Sequence, residues 1–270
     1  MDFRLTEDQQ MMSAAVREVS SRYGLEYWRE KDGRNEFIDE FWSALGKGGW
    51  LGTTIPSEFG GAGCGVLDAA IVVEQAAAAG GGATLAQFFM YALLQAATLT
   101  RHGTDEQKRK YLPRMARGEL ACAIAVTEPN AGSNTLATAT TARREGDRYI
   151  LNGQKVFISG LERAQKMLVV ARTTPAGETP NKTFGLSLFL VDTEAPGITR
   201  KPIQKVGTHC MGSYTVYLDD VPVAVDDRIG AQDHGWGILV DTLNVERITT
   251  TAGSIAAGEL AIRLAVEYAC

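Results

Sequence analysis

At Ala121 the hydrophobic pattern of this chain changes period, and that change restricts its fold more than any other feature. Upstream, apolar residues recur at helical spacing; downstream they alternate, as they do along half-buried strands. Thr6 followed by Gln9 is a capping-box signature for a helix carrying Met11, Met12, Ala15, Val16 and Val19. A second helical segment spans about Phe37 to Leu45 and ends in the glycines at 46, 48 and 49. Turn chemistry fills Ile55 to Gly61, and two alanine-rich helices, about 66–79 and 83–101, are joined by the glycines at 80–82. Gly103 is placed to end the second of these, and Thr104 with Gln107 opens another helix that closes near Gly118.

Beyond the switch, strands are expected at 121–126, 136–144, 148–158, 166–172, 184–192, 198–205 and 213–221. Short strands so spaced predict a small β-barrel or sandwich. A last helical pattern starts near Trp236 and is still running at Cys270, with no cap or turn signal. The expected fold class is therefore α+β. It has an N-terminal helical bundle (1–119), a middle β-domain (120–229) and the first helix of an incomplete C-terminal helical domain (230–270). A long apolar-faced helix with nothing to pack against points to a truncated chain, or to a partner that supplies the missing layer.

Two stretches carry the chemistry. The apolar run Ala121 to Val126 breaks into Thr127-Glu128-Pro129-Asn130-Ala131-Gly132-Ser133, a turn of hydroxyls, small residues and free backbone N–H groups. Such a turn can lie flat against a polar, planar or phosphorylated ligand. Pro129 and Gly132 would equally mark an ordinary strand-to-loop transition. Downstream, Lys155-Val156-Phe157-Ile158-Ser159 sets a ring and a hydroxyl two residues apart, on one face of a strand. A core aromatic beside a strand hydroxyl is the plainer account of that pair.

Taken in order, these stretches resemble the acyl-CoA dehydrogenase family over the whole chain. Also carrying the resemblance are the Pro56–Gly61 loop, Asn152-Gly153-Gln154-Lys155, Gly207-Thr208-His209 with Met211-Gly212, Val216–Val223 and Gly235–Gly237. The resemblance implies a flavin, FAD, against the Thr127–Ser133 turn and the Phe157–Ser159 strand. Its implied contacts are Ile124, Val126, Thr127, Ser133, Phe157, Ile158 and Ser159. Phe157 and Ser159 stand where the family typically has tryptophan and threonine, and Asn134 where aspartate is usual. Glu246, just before Arg247, matches the position at which a subset of the family carries the catalytic base. A surface glutamate on a helix is the competing reading. Ser133, Asn244 and Arg247 fall in stretches that contact substrate in the family.

The function this implies is α,β-dehydrogenation of an acyl-CoA to a trans-2-enoyl-CoA, with an electron-transferring flavoprotein as electron acceptor. A homo-oligomer, dimer or tetramer, is implied where the family's C-terminal domain is present. Two other outcomes stay open: an oxygen-using flavoenzyme of the same fold (an acyl-CoA oxidase or monooxygenase), and a catalytically silent partner or truncated chain.

Composition narrows the setting. A net charge of −5 with no basic stripe argues against nucleic acid. Asp2 and Arg4 open the chain where a signal peptide would be apolar, and Glu74, Gln75 and three glycines interrupt the apolar region 69–99, which argues against a membrane span. Cys64, Cys122, Cys210 and Cys270 lie too far apart for a C-x-x-C site, so reduced thiols in the cytoplasm are expected. His102, His209 and His234 are scattered and read as loop or cap residues; no metal site is expected.

Overall fold

The computed structural model describes residues 4–270; Asp2, part of the N-terminal reading, lies outside them. Six helices precede the sheet: α1 (Glu7–Ser21), α2 (Leu25–Arg34), α3 (Asp39–Lys47), α4 (Val66–Ala76), α5 (Gly82–His102) and α6 (Asp105–Ala116). Both capping boxes form. The Thr6 hydroxyl accepts from the Gln9 N–H at 3.2 Å and the Gln9 amide oxygen accepts from the Thr6 N–H at 3.1 Å. Thr104 and Gln107 repeat the arrangement. Helix α2 has no counterpart in the sequence expectation. Its N-cap is Gly24, which offers no side-chain acceptor, and its end is Asn35 in a left-handed conformation at φ 55°. Tertiary packing holds it instead: Trp28 is buried against Phe41 and Phe88.

The sheet contains β1 (Cys122–Ala125), β2 (Thr141–Glu145), β3 (Arg148–Ser159), β4 (Lys166–Arg172), β5 (Leu186–Asp192), β6 (Ile198–Pro202), β7 (Ser213–Ala224) and β8 (Arg228–Ile229). Its order is β6-β7-β3-β2-β4-β5-β8, with β1 added in parallel to β4. One bridge, Thr141 to Arg172, joins the two halves. The halves fold face to face, so that the Tyr149 ring on β3 meets Phe189 on β5 at 4.9 Å. Among the described residues no strand pairing closes β6 onto β8. Of the two architectures expected, this is the sandwich.

The largest departures from the expected strands are at β2, β6 and β8. The segment expected as a strand from 136 starts only at Thr141, because Thr135–Ala137 forms a helical turn and the Ala139 and Thr140 N–H groups are donated to the Glu128 carboxylate. Strand β6 ends at Pro202, although the Ile203 N–H still donates to the Ser213 carbonyl at 2.8 Å. The two-residue strand β8 was not foreseen.

Helix α7 (Gly235–Ala269) returns across the bundle, packing along α4 and α5 and touching β5. The Thr98 and Thr242 hydroxyls meet at 2.7 Å between α5 and α7, and His102 Nε2 reaches Asp241 at 2.9 Å. His209 likewise faces a carboxylate, Asp32, 3.0 Å from its Nδ1, and His234 caps α7. The first two partners lie 139 and 177 residues away along the chain, where no spacing argument could find them. Along the outer side of α7, Ile255, Ile262 and Val266 are exposed. No helix among the described residues is long and apolar enough to cross a membrane.

A cavity between two helices and two strands

Where α5, α7, β1 and β3 meet, they enclose a cavity of about 700 Å³. Each element turns a periodic set of side chains toward it. Strand β1 and its extension give alternate residues, Cys122, Ile124 and Val126, followed by Thr127. Helix α5 gives Gln87, Tyr91 and Gln95, four residues apart, and α7 gives Leu243, Glu246 and Thr250.

Strand β3 departs from simple alternation. A register shift between Lys155 and Ile158 marks a bulge, and Phe157 inside it has φ +60°. For a bulky residue that conformation is unfavourable by roughly 1–2 kcal/mol. The ring that results is 67% exposed. Alternation predicts Phe157 and Ser159 on one face with Ile158 behind; the bulge instead brings all three to the cavity.

Below the Thr127 turn lies a buried ion pair. Lys155 is fully buried, and its Nζ donates to the Val126 carbonyl at 3.0 Å and to Glu128 at 2.8 Å. Glu128 also accepts the Ala139 and Thr140 N–H groups at 2.7 and 3.0 Å. Burial pushes the Glu128 carboxyl upward, but Lys155 and these donors outweigh it and hold it below the usual carboxylate range. Burial lowers the Lys155 ammonium from its ordinary value, against the pull of Glu128. Val156 N–H completes the anchor by donating to the Thr127 carbonyl at 2.9 Å. The turn above is tight: Glu128 and Ala131 exchange both backbone hydrogen bonds at 3.1 Å. Sequence reasoning passed over Glu128 and Lys155 as members of motifs. The available signal was a lysine in register with the apolar Tyr149 and Leu151 of an alternating strand.

Gly160 ends β3 with φ +70°, and a Cβ there would overlap the hydroxyl and ring of Tyr91 from α5. Only glycine lets strand and helix approach this closely. Gly160→Ala is expected to destabilise the fold by about 2–3 kcal/mol through overlap and backbone strain, read as a lowered urea midpoint. An unshifted midpoint would show that the contact is not required.

Of the residues singled out in the sequence, Ile124, Val126, Thr127, Phe157, Ile158, Ser159 and Glu246 all line the cavity. Ser133, Asn244 and Arg247 do not; they are exposed, and Arg247 donates to Asn244 at 2.8 Å. Burial raises the Glu246 carboxyl pKa, with partial opposition from the Arg247 charge. The wall is mixed in character: Ile124, Val126, Ile158 and the Phe157 ring are apolar, and Thr127 and Ser159 add hydroxyls. Behind it, two buried oxygen atoms, Tyr91 Oη and Gln95 Oε1, have no hydrogen-bond partner among the described residues. A slot of this size and lining accepts a planar ring system with a polar edge, beside a carboxylate poised to take a proton.

Similarity to known proteins extends over most of the chain. Residues 6–119 match the acyl-CoA dehydrogenase N-terminal domain and residues 123–221 the acyl-CoA dehydrogenase middle domain. Acyl-CoA dehydrogenase FadE12 of Mycobacterium tuberculosis is 39% identical over 265 residues, covering 97% of this chain; the chain spans 66% of that relative's length. A glutaryl-coenzyme A dehydrogenase in complex with glutaryl-CoA superposes with a TM-score of 0.93 at 31% identity, over 99% of this chain and 68% of the other. The FAD complex of PigA superposes with a TM-score of 0.90 at 26% identity, over 99% of this chain and 70% of the other.

Proposed function

The chain belongs to the acyl-CoA dehydrogenase family, and on that footing we propose that it carries out flavin-dependent α,β-dehydrogenation of an acyl-CoA thioester to a trans-2-enoyl-CoA. The observation that carries this reading is the sharing of one cavity by a desolvated carboxylate, Glu246, and the Thr127 and Phe157–Ser159 walls. FAD bound against those walls would accept the β-hydride and pass electrons on to an electron-transferring flavoprotein.

The residues of the chain divide the remaining work. Ile124, Val126, Ile158 and the Phe157 ring exclude water from the ring system, and the Thr127 and Ser159 hydroxyls serve its polar edge. Glu246 takes the α-proton onto its carboxylate, and the raised pKa makes it a stronger acceptor than an exposed glutamate. Ser133, Asn244 and Arg247, exposed outside the cavity, are assigned to the polar CoA portion of the substrate. Four free cysteines fit a cytoplasmic setting, and the exposed Ile255, Ile262 and Val266 fit self-association.

The test is anaerobic mixing of purified, FAD-loaded protein with acyl-CoAs of graded chain length. Loss of the flavin's visible absorbance with at least one of them is expected. No bleaching and no charge-transfer band with any chain length would end this reading.

A further inference from the structure

The Gly207-Thr208-His209 motif lies in the loop between β6 and β7, which walls the cavity with Lys205, Val206, Gly207 and Thr208. Gly207 at φ +94° and Thr208 at φ +55° wind this wall through the left-handed region at two successive residues, and Val206 is fully exposed. Two side chains hold it. Lys205 Nζ donates to the Thr208 and Met211 carbonyls, closing the loop on itself. Asp32 on α2 anchors the loop to the helical bundle. Its carboxylate accepts the backbone N–H groups of His209 and Cys210, and its second oxygen lies 3.0 Å from His209 Nδ1.

The other ring nitrogen has two partners and can serve only one of them. His209 Nε2 lies 3.2 Å from the Lys205 carbonyl oxygen and 3.3 Å from the Gly207 nitrogen. A protonated Nε2 donates to the carbonyl; a bare one accepts the Gly207 N–H. When the ring is neutral its proton stays on Nδ1, because a bare Nδ1 would face the Asp32 lone pairs. The imidazolium therefore makes the first arrangement and the neutral ring the second. Lys205 and Gly207 both belong to the cavity wall, so the charge on His209 selects how that wall is bonded.

Charged neighbours set the balance. The Asp32 hydrogen bond, then the Lys205 carbonyl, raise the His209 pKa above the usual histidine value, with partial burial and the Lys205 charge opposing. Burial pushes the Asp32 carboxyl up, but His209 and the two N–H donors outweigh it and hold it below the usual carboxylate range. Asp32 thus faces the ring from α2 and Lys205 from its own loop. Glu162, Cys210 and Tyr214 share a second cavity of about 520 Å³ with the ring, and Glu162 there accepts the Gly212 N–H at 2.7 Å.

We propose that His209 is a positioning residue for FAD: charged, it clamps the Lys205–Thr208 wall between Asp32 and the Lys205 carbonyl, and neutral, it releases that clamp. The inference rests on the placement of FAD in this cavity. Charge-assisted hydrogen bonds are the stronger ones, so the clamped wall is the better organised and holds FAD more tightly. That contribution is complete below about pH 6.5, the ordinary histidine value, and is lost as pH rises through the raised one.

Two measurements test it. In FAD-free protein the Gly207 amide proton resonance should shift with pH in step with the His209 ring, since that N–H gains its acceptor only when Nε2 is bare. Asp32→Asn should lower the apparent pKa, and His209→Gln should abolish the shift. In titrations followed by flavin fluorescence, FAD Kd should weaken about three- to five-fold from pH 6 to pH 8.5, the scale of an exposed ion pair. His209→Gln should be flat at the weak value, and His209→Arg, charged throughout, flat at the tight one. A Gly207 amide that ignores the ring's titration would overturn the proposal whether or not FAD binds. A pH dependence of Kd that survives both His209 variants would also overturn it, while leaving the FAD site standing. No FAD binding at any pH would bring down the FAD placement and this role together.

Discussion

Lys155→Met is expected to destabilise the protein by about 3–5 kcal/mol, because it leaves the Glu128 carboxylate buried without its counter-charge. Methionine nearly matches the volume of the lysine stem, so little of the loss comes from a cavity. What disappears is the ammonium that bridges Val126 O and Glu128 at 3.0 and 2.8 Å. The Ala139 and Thr140 N–H groups still serve Glu128, so the carboxylate is not stripped of all donors. Urea unfolding followed by far-UV circular dichroism measures the loss. The double variant Lys155→Met with Glu128→Gln should recover more than 1 kcal/mol relative to the single change, since a neutral amide tolerates burial better than an orphaned charge. A double variant no more stable than the single one would show that packing, and not charge, is what Lys155 provides. The functional consequence follows from position. This pair and the Val156–Thr127 hydrogen bond tie β3 to the turn above it. FAD retention is therefore expected to weaken in Lys155→Met even at temperatures where the chain is folded.

That ion pair also shows where reading the sequence ends. Local chemistry was legible: Thr6–Gln9 and Thr104–Gln107 announce helix starts because cap and partner lie three residues apart. Alternation placed β3 and β7, each with one face in the core, whereas β4 and β5 are short apolar runs buried on both faces. Ile124, Val126, Thr127 and Phe157 to Ser159, singled out by resemblance, line the cavity. What was hidden depends on distant partners. Helix α2 is fixed by Trp28 packing, not by a cap. Strand β2 starts late because Glu128 takes the N–H groups that a longer strand would have used. The bulge at Phe157 cannot be read from alternation, and it turns Ile158 toward the cavity as well. The burial of Gln95 was equally hidden, since a glutamine in an alanine-rich helix reads as a solvated position until the packing around it is known.

Glu246→Gln should slow flavin bleaching by acyl-CoA by about 10²- to 10⁴-fold, the usual range for a positioned general base. The amide keeps the shape of the side chain and cannot take the α-proton, so acyl-CoA affinity should change little while the rate collapses. On the proposed reading the same carboxyl sets the pH profile. Its pKa is raised by burial, with Arg247 opposing, and only the ionised form accepts a proton. Bleaching in the parent protein should therefore rise with pH through an apparent pKa above the ordinary glutamate value, and Glu246→Gln should lose that limb. Stability runs the other way. A glutamate whose folded pKa is raised ionises in the unfolded chain first, so between the two pKa values the folded state binds more protons. Stability is then full below the unfolded value and falls as pH rises through the folded one. Replacing Glu246 by an uncharged glutamine removes that loss, so the variant should be at least as stable as the parent at neutral pH. Lower activity joined to equal or higher stability would mark a group kept for chemistry at a cost to the fold. Unchanged bleaching in Glu246→Gln would instead assign proton removal to a different group, and a lower urea midpoint would make Glu246 a structural residue.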